Sequence, residues 1–367
     1  MERGRARDFG VEIGNLPTGA RNAITDVDGV RVGHATVIRD PSPGGAGAVR
    51  TGVTTVFPHE GLPWEERVYA GTHVLNGYGE MIGTNQVAEW GLLHSPIVMT
   101  SSLAIGRAYD ATIKWRTERH ATTTHDGGDM PLVTECDDSF LSDVTTFPLA
   151  DEDVYEALDG ATNGDVAEGC VGAGTGMACM DFKGGIGTAS RVIEAGFTVG
   201  ALVLTNFGDR ENLRIDGVPV GAEITDLMPE EHSEGSCICV IATDAPMLPH
   251  QVRRLAVRAG LGLARMGSTA HNGSGELMIA FSTANRIPLE TVDGTLEVRA
   301  LLDGSASDQP AAFSDLFLGT IEAVEEAVVN ALFTATTTVG RDGNVLHALP
   351  IDRTLEILER YGRPARG

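Results

Sequence analysis

Glu234-Gly235-Ser236-Cys237-Ile238-Cys239-Val240-Ile241-Ala242-Thr243-Asp244-Ala245-Pro246 is the stretch from which the rest of the chain is read. Its serine stands at a seam. Before it lies an acidic, strand-breaking segment, Asp226 to Gly235, which includes Pro229; after it comes a short apolar, partly β-branched strand. If the Gly235–Ser236 bond were cut, Ser236 would gain a free α-amine beside its own hydroxyl. An α-amine with an unperturbed pKa of about 7.7–8.0 serves as a base near neutral pH. Glycine before the serine permits strained or positive-φ geometry that favours attack of the hydroxyl on the preceding carbonyl. Gly-Ser at the start of a strand also reads as an ordinary turn, so the chemical reading requires partners elsewhere.

Composition narrows the classes. A chain of 367 residues can bury a large core, and an apolar share of 42% with 46 glycines fits an α/β protein rich in tight turns. The formal net charge of −24 would repel nucleic-acid backbones and anionic membranes, so neither is expected as a partner. Only Lys114 and Lys183 are lysine; the other 25 of the 27 cationic residues are arginine. Such acidity with so little lysine suits a salt-rich cytoplasm, where screening relieves self-repulsion, and a GC-rich genome also exchanges lysine for arginine. The N-terminus has basic residues but no apolar segment behind them, and no run of roughly 18 apolar residues occurs. The five cysteines, Cys136, Cys170, Cys179, Cys237 and Cys239, are odd in number and lack paired C-x-x-C spacing. They read as reduced, mostly buried residues of a cytoplasmic protein.

Along the chain, Asn22 to Ile38 alternates short β-branched segments around Asp28-Gly29 and reads as a hairpin. Residues 40–47 read as a loop, 52–57 and 198–205 as strands, 86–92 as helix, and 120–129 as an exposed insertion. Pro249 opens a helix running to about Arg265, with Thr243 or Asp244 as its cap. Gly273 to Glu276 then leads into a strand over 277–281, and Ser314 to about Phe333 carries apolar residues at helical spacing. No repeat of solenoid length is visible, which favours one α/β domain over residues 1–367.

Several chemistries are excluded on detail. The glycines at 172, 174 and 176 lack a Walker lysine, G-x-G-x-x-G spacing and an acidic ribose ligand, and read instead as a bulge between packed sheets. No H-E-x-x-H or H-x-H pair suggests a metal, and no G-x-S-x-G elbow occurs. What remains is a set of strand-end polar groups: Ser236, Asn206, Ser274 and Glu276. An amide hydrolase needs a nucleophile, a proton acceptor, an oxyanion donor and something to order the serine. Asn206 can donate through its amide, and Ser274 with Glu276 can hydrogen-bond the nucleophile or hold its amine. Taken singly, each also reads as ordinary structure: Asn206 as a turn residue, Ser274 as loop, Glu276 as a solvated charge.

The runs NAITDVDGVRVGHATV, GCVGAGTGMACMDFKGGIGTASRV, NFGDRENLRIDGVPVG, GSCICVIATDAPMLPHQVRRLA and NGSGELMIAFST resemble, in order and over nearly the whole chain, the DmpA-type family of self-processing N-terminal-serine aminopeptidases. The resemblance implies a four-layer αββα sandwich, reminiscent of N-terminal-nucleophile hydrolases but differently connected and shared with ornithine acetyltransferases. It also implies that Ser236 is the nucleophile, Gly235–Ser236 the autocleavage site, Asn206 the oxyanion-hole asparagine, and Ser274 and Glu276 their supporting pair. Glu135 resembles the acidic pocket residue that meets the substrate's amino group. Some relatives carry a tyrosine nearby, and this chain has none there.

The reading is then a cofactor-independent, metal-free aminopeptidase or amidase, cut into an α chain (1–235) and a β chain (236–367), acting on small peptides, amides or esters with a free amine. The resemblance implies a homotetramer. Two enzymatic alternatives stand beside it: an endo-acting amidase of ω-amino-acid oligomers, and an acyltransferase of the ornithine acetyltransferase type. A third is an unprocessed, non-catalytic binding protein. The charge reading has its own test. If the acidity reflects salt adaptation, melting temperature and activity should both rise as potassium chloride goes from dilute, where the Debye length is roughly 30 Å at 0.01 M, to molar. A flat response would assign the composition to codon bias.

Overall fold

The fold is described from a computed structural model over residues 2–41, 47–119, 130–230, 235–303 and 312–365. Strand β12 (Ser236–Thr243) occupies its centre. Cys237, Cys239 and Ile241 pack into one apolar cluster, while Ile238, Val240 and Ala242 pack into another. Successive side chains of a strand point to opposite faces, so an uninterrupted apolar run is what a strand buried on both faces requires. β11 (Thr198–Asn206) flanks β12 antiparallel and β13 (Gly275–Pro288) flanks it parallel. With β10 (Ile186–Val192), β3 (Glu66–Gly77) and β5 (Leu92–Leu93) they form a six-stranded sheet in the order β10-β11-β12-β13-β3-β5.

A second sheet has the order β1 (Arg31–Arg39), β2 (Val49–Phe57), β6 (Ile97–Ser101), β7 (Leu132–Cys136) and β4 (Met81–Ile82). Two short pairs complete the strands: β8 (Ala178–Cys179) with β9 (Phe182–Lys183), and β14 (Thr338–Val339) with β15 (Val345–Leu346). The helices are α1 (Thr84–Trp90), α2 (Ile105–Arg119), α3 (Asp151–Asp159), the single turn α4 (Val220–Glu223), α5 (Pro249–Arg265), α6 (Ala312–Thr334) and α7 (Ile351–Arg360). Helices α5 and α6 cover the outer face of the six-stranded sheet, and α2 and α3 cover the other sheet. A cluster containing Ile97, Met99, Ile238, Val240 and Ile279 fills the space between the sheets. This is the expected four-layer αββα sandwich. The layers approach closely: a Cβ at Gly187 of β10 would lie 1.8 Å from the Ala327 carbonyl of α6, so only glycine fits.

Three local expectations need correction. Asp28-Gly29 does not join two strands. Ile24–Asp26 is a 3₁₀ turn, because the Asp26 carboxylate accepts the backbone N–H groups of Arg21 and Ala23 and holds the chain curled; β1 begins only at Arg31 and pairs with β2. Helix α5 starts where expected, but its N-cap is Leu248, whose N–H is taken by the Gln251 side chain at 2.9 Å, whereas Thr243 accepts from Ala245. The glycines at 172, 174 and 176 form a buried 3₁₀ turn rather than a bulge, with Ala173 N–H donating to Thr54 Oγ1. The insertion over 120–129 lies outside the described residues, as does most of the loop over 40–47. All five cysteines are free, and only Cys170 is not fully buried. No helix among the described residues is long and apolar enough to cross a membrane.

The N-terminal segment binds helix α6 through charge. Arg191 of β10 is wholly buried, with Nε 3.1 Å from Glu322 and Nη2 2.6 Å from Glu326. Arg7 pairs with Glu326 at 2.7 Å, Ala6 N–H donates to Asn330, and the N–H groups of Asn15 and Leu16 donate to Glu322. Burial pushes the Glu326 carboxyl up, but the Arg7 hydrogen bond and the charges of Arg191 and Arg7 overcome it and hold it low. Its contribution is therefore present above the ordinary carboxylate pKa and is lost as pH falls through the depressed value. All of these anchors join residues before Ser236 to a helix after it. Arg191→Met, which leaves buried carboxylates without their partner, should destabilise the protein by about 3–5 kcal/mol in urea unfolding. Arg353→Met, which breaks an exposed pair with Asp226, should leave the midpoint nearly unchanged.

Candidate active site

Ser236 is the first residue of β12, and the ladders on either side set its neighbours. Asn206, the last residue of β11, stands directly opposite it, and Gly275, the first residue of β13, pairs with it on the other side. By strand alternation Ser236 shares the face of Ile238, which points between the sheets. There it meets the end of β7, which packs against β12 from the facing sheet. A cavity of about 440 Å³ opens at this junction, with Tyr78, Gly79, Ser102, Glu135, Asp137 and Ser236 in its wall. Ser236 and Glu135 are each only 6% exposed.

Asn206 is buried behind this wall in a fixed orientation. Its Oδ1 accepts the Ala178 N–H at 2.9 Å, and its Nδ2 donates to the Asp137 carbonyl at 2.8 Å. A primary amide carries two N–H donors, so one remains for a developing negative charge. Gly235 is a glycine for want of space. A Cβ there would lie 2.4 Å from the Asn206 carbonyl and 2.8 Å from Phe207 Cα, and its φ does not fall in the left-handed region, contrary to the expectation of positive-φ geometry. Its carbonyl, the one bonded to Ser236, accepts the Gly275 N–H at 3.1 Å.

Ser274 and Glu276 lie on the β13 side and are joined to each other, the Ser274 hydroxyl donating to Glu276 Oε1. Glu276 is 1% exposed, and its Oε2 has no hydrogen-bond partner. Burial raises the Glu276 carboxyl, against the Ser274 hydrogen bond. Ser236, Glu135 and Gly235 line the cavity, and Asn206, Ser274 and Glu276 are buried at the ends of the two strands that flank Ser236. Glu135 accepts the Glu80 N–H at 2.8 Å on one oxygen and the Ser102 hydroxyl on the other. Burial raises its carboxyl as well, and the nearby charges of Asp137 and Glu80 add to the effect while the two hydrogen bonds oppose it.

Sequence reasoning missed Ser102, Tyr78, Asp137 and Gly275. Ser102 had one visible signal, the polar triplet Thr100-Ser101-Ser102 directly after the apolar run of β6. Asp137 follows Glu135 by two residues, the spacing that puts alternate strand residues on one face. The Gly275 N–H carries no side-chain signature.

A profile of peptidase family S58 matches residues 22–346. A beta-peptidyl aminopeptidase from Sphingosinicella xenopeptidilytica is 42% identical over 373 aligned residues, 97% of this chain and 91% of that protein. The L-aminopeptidase D-Ala-esterase/amidase of Ochrobactrum anthropi, described as a prototype of the serine aminopeptidases with a variant N-terminal-nucleophile fold, superposes with a TM-score of 0.91 at 43% identity. That match covers 98% of this chain and 99% of the other. A beta-aminopeptidase from a Burkholderia species gives 0.89 and 42% with the same coverage. Fold and kinship agree, and the chain belongs to peptidase family S58, whose serine-nucleophile hydrolases act on peptide and amide bonds.

Proposed function

We propose that the protein cuts its own Gly235–Ser236 bond and then works as an aminopeptidase through the new N-terminal serine. The observation that carries this is the setting of Gly235: its carbonyl is held by the Gly275 N–H, and its Cα is pressed against β11 beside the serine that would attack it. In maturation Ser236 Oγ attacks the Gly235 carbonyl carbon, the peptide C–N bond breaks, and the acyl group passes to Oγ as an ester. Water then hydrolyses the ester, releasing the Gly235 carboxylate and leaving Ser236 with a free amine.

In turnover that amine takes the hydroxyl proton as Oγ attacks the substrate carbonyl. The remaining Asn206 N–H and the Gly275 N–H, freed once Gly235 departs, hold the oxyanion. Glu276 Oε2 is left to accept from the protonated amine, with Ser274 fixing the carboxylate. The leaving amine carries away the proton, and water resolves the acyl-enzyme. Glu135 takes the substrate's ammonium, which restores to a raised carboxyl the charged partner that burial denies it. No cofactor enters these steps. The bounds of the two chains, 1–235 and 236–367, follow from the cut, and a homotetrameric cytoplasmic enzyme is the working assembly the family resemblance supports.

The same crowding supports a finer substrate class. Gly235 is the first acyl group the site would handle, and an L-side chain on its Cα would strike the Asn206 carbonyl and Phe207. Acyl residues whose α-carbon carries no substituent, as in glycine and β-amino acids, avoid that contact. Similarity to a beta-peptidyl aminopeptidase points the same way.

N-terminal sequencing of the small fragment should read Ser-Cys-Ile-Cys, and Ser236→Ala should remain one inactive chain; cleavage persisting in that variant would sink the nucleophile assignment. Asn206→Ala should process or fold normally yet lose roughly 10²–10³ in kcat on a chromogenic amide, with a smaller change in KM. Among p-nitroanilides, β-residues and glycine with a free amine should be preferred over bulky L-α-residues, and N-acetylated counterparts should be inert. For the free-amine substrates kcat/KM should climb with pH as Glu135 and the Ser236 amine lose their protons. Equal turnover of acetylated and free substrates would reject the aminopeptidase reading.

A further inference from the structure

A second cavity, of about 410 Å³, lies on the other side of the Ser101–Ser102 step, between β2, the start of α2 and the turn over 144–149. Leu103, Ala104, Val144, Phe147 and Leu149 make its apolar walls. Phe147 is 71% exposed at the mouth and sits in the left-handed region with φ 47°. The walls alone would describe a hydrophobic dent. The polar groups among them are what suggest a ligand.

Thr51 and Ser101 also line this cavity, and they are 1% and 4% exposed. Ser101 spends its single proton on Asp138 Oδ1, at 2.7 Å, so its oxygen offers only lone pairs to the cavity. Thr51 Oγ1 lies near enough to Asp138 to favour the ionised carboxylate but has no aligned hydrogen-bond partner, and Asp138 Oδ2 has none either. Burial pushes the Asp138 carboxyl up to about 7, so a cation seated in front of it would return it to the charged form. Two buried hydroxyls backed by a buried carboxylate suit an ammonium group, which brings three donors and no acceptor.

Arg107 and Asp110, from the first turns of α2, also line the cavity. Asp110 is held by Lys114 at 2.6 Å, and Arg107 gives one nitrogen to Asp151 at 3.0 Å, leaving further guanidinium donors for a carboxylate. From these groups we infer that the cavity is a binding site for a free apolar amino acid, its ammonium on Thr51 and Ser101, its side chain among the apolar walls and its carboxylate on Arg107. Nothing in the proposed catalytic cycle uses this site. It shares a wall with the cycle, because Ser101 bonds Asp138 while the adjacent Ser102 bonds Glu135 in the active-site cavity. An occupant would therefore bear on the residue proposed to meet the substrate's amine, and the coupling would be reciprocal.

The test is calorimetric titration of the purified wild type with L-phenylalanine, phenethylamine and 3-phenylpropionate, repeated on Thr51→Val, Ala104→Phe and Arg107→Gln. Phenylalanine should bind the wild type, phenethylamine more weakly, and phenylpropionate least. Thr51→Val, which removes the hydroxyl and keeps the shape, should weaken phenylalanine by about ten- to hundredfold. Ala104→Phe, which fills the cavity from a partly exposed position, should abolish binding. Arg107→Gln should weaken phenylalanine but leave phenethylamine unchanged, a split that general damage to the fold would not produce. All three variants should keep their kcat on a chromogenic amide in the absence of added amino acid. No binding of phenylalanine to the wild type at millimolar concentration, or equal binding to wild type and to both Thr51→Val and Ala104→Phe, would overturn the site. The second outcome would place the amino acid in the active-site cavity instead and would leave the catalytic reading standing.

Discussion

The site depends on the ladder that pins the start of β12 between an antiparallel and a parallel neighbour. In a sheet the position of a strand's first residue is not independent: once Ile238 and Val240 are committed to the inter-sheet core and Cys239 and Ile241 to the helix side, Ser236 has one direction left to face. A shift of register by one residue would turn the serine toward the helices and bury polar groups in an apolar layer. The paired residues Asn206 and Gly275 inherit the same precision, because both are strand ends read off the same ladder. The apolar strand is thus the jig that holds Ser236, and its lack of polar interruption is a consequence of being buried twice over.

Cutting the chain at the head of such a strand would normally invite the strand to leave. Here the cut would fall where little is lost. β12 keeps its bonds to β11 on one side and β13 on the other, and β13 in turn pairs with β3 from the N-terminal part of the chain. The N-terminal residues reach around to helix α6 through Arg7, Ala6, Asn15 and Leu16, with Arg191 buried between Glu322 and Glu326. Buried ion pairs seldom add much to stability over apolar substitutes, yet they are costly to separate. That asymmetry would suit a protein whose two pieces, once cut, have to stay together without a covalent link.

Much of the scaffold was legible in local pattern. Pro249 in the first turn marked α5, the apolar spacing from Ser314 to about Phe333 marked α6, and the run after Ser236 marked the central strand, because all three signals are short-range. The Asp28-Gly29 pair misled, since an Asp26 carboxylate bonded to its own neighbours outweighed β-branched propensity and curled the segment before it could extend. The α5 cap misled similarly: Gln251 reaching back to Leu248 did the work expected of a hydroxyl or carboxylate. That Ser236 and Asn206 stand at strand ends was legible because both lie at conspicuous polar-to-apolar junctions. Ser102 and Asp137 act on Glu135 and Asn206 across distances of 33 and 69 residues, and a sequence holds no sign of such pairings until the sheets are stacked. The reason for a glycine at 235 was not legible: it answers to the carbonyl of Asn206, which only the folded ladder brings near.

Electrostatics then account for what the cavity excludes. Glu135 and Asp137 contribute carboxylates to its wall, the charge of Glu80 acts on Glu135 as well, and neither lysine nor arginine stands in the wall among the described residues. Burial in this cavity raises the free energy of the ionised Glu135, and the nearby charges of Asp137 and Glu80 add to it. A substrate with a free ammonium removes that disadvantage on binding, whereas an N-blocked one adds a desolvated amide to a carboxylate already short of partners. On the proposed reading, discrimination for the free amine would arise as much from how poorly the site tolerates the charge of Glu135 as from the strength of any single contact, and a wall residue that introduced a cation would weaken it even without touching the substrate.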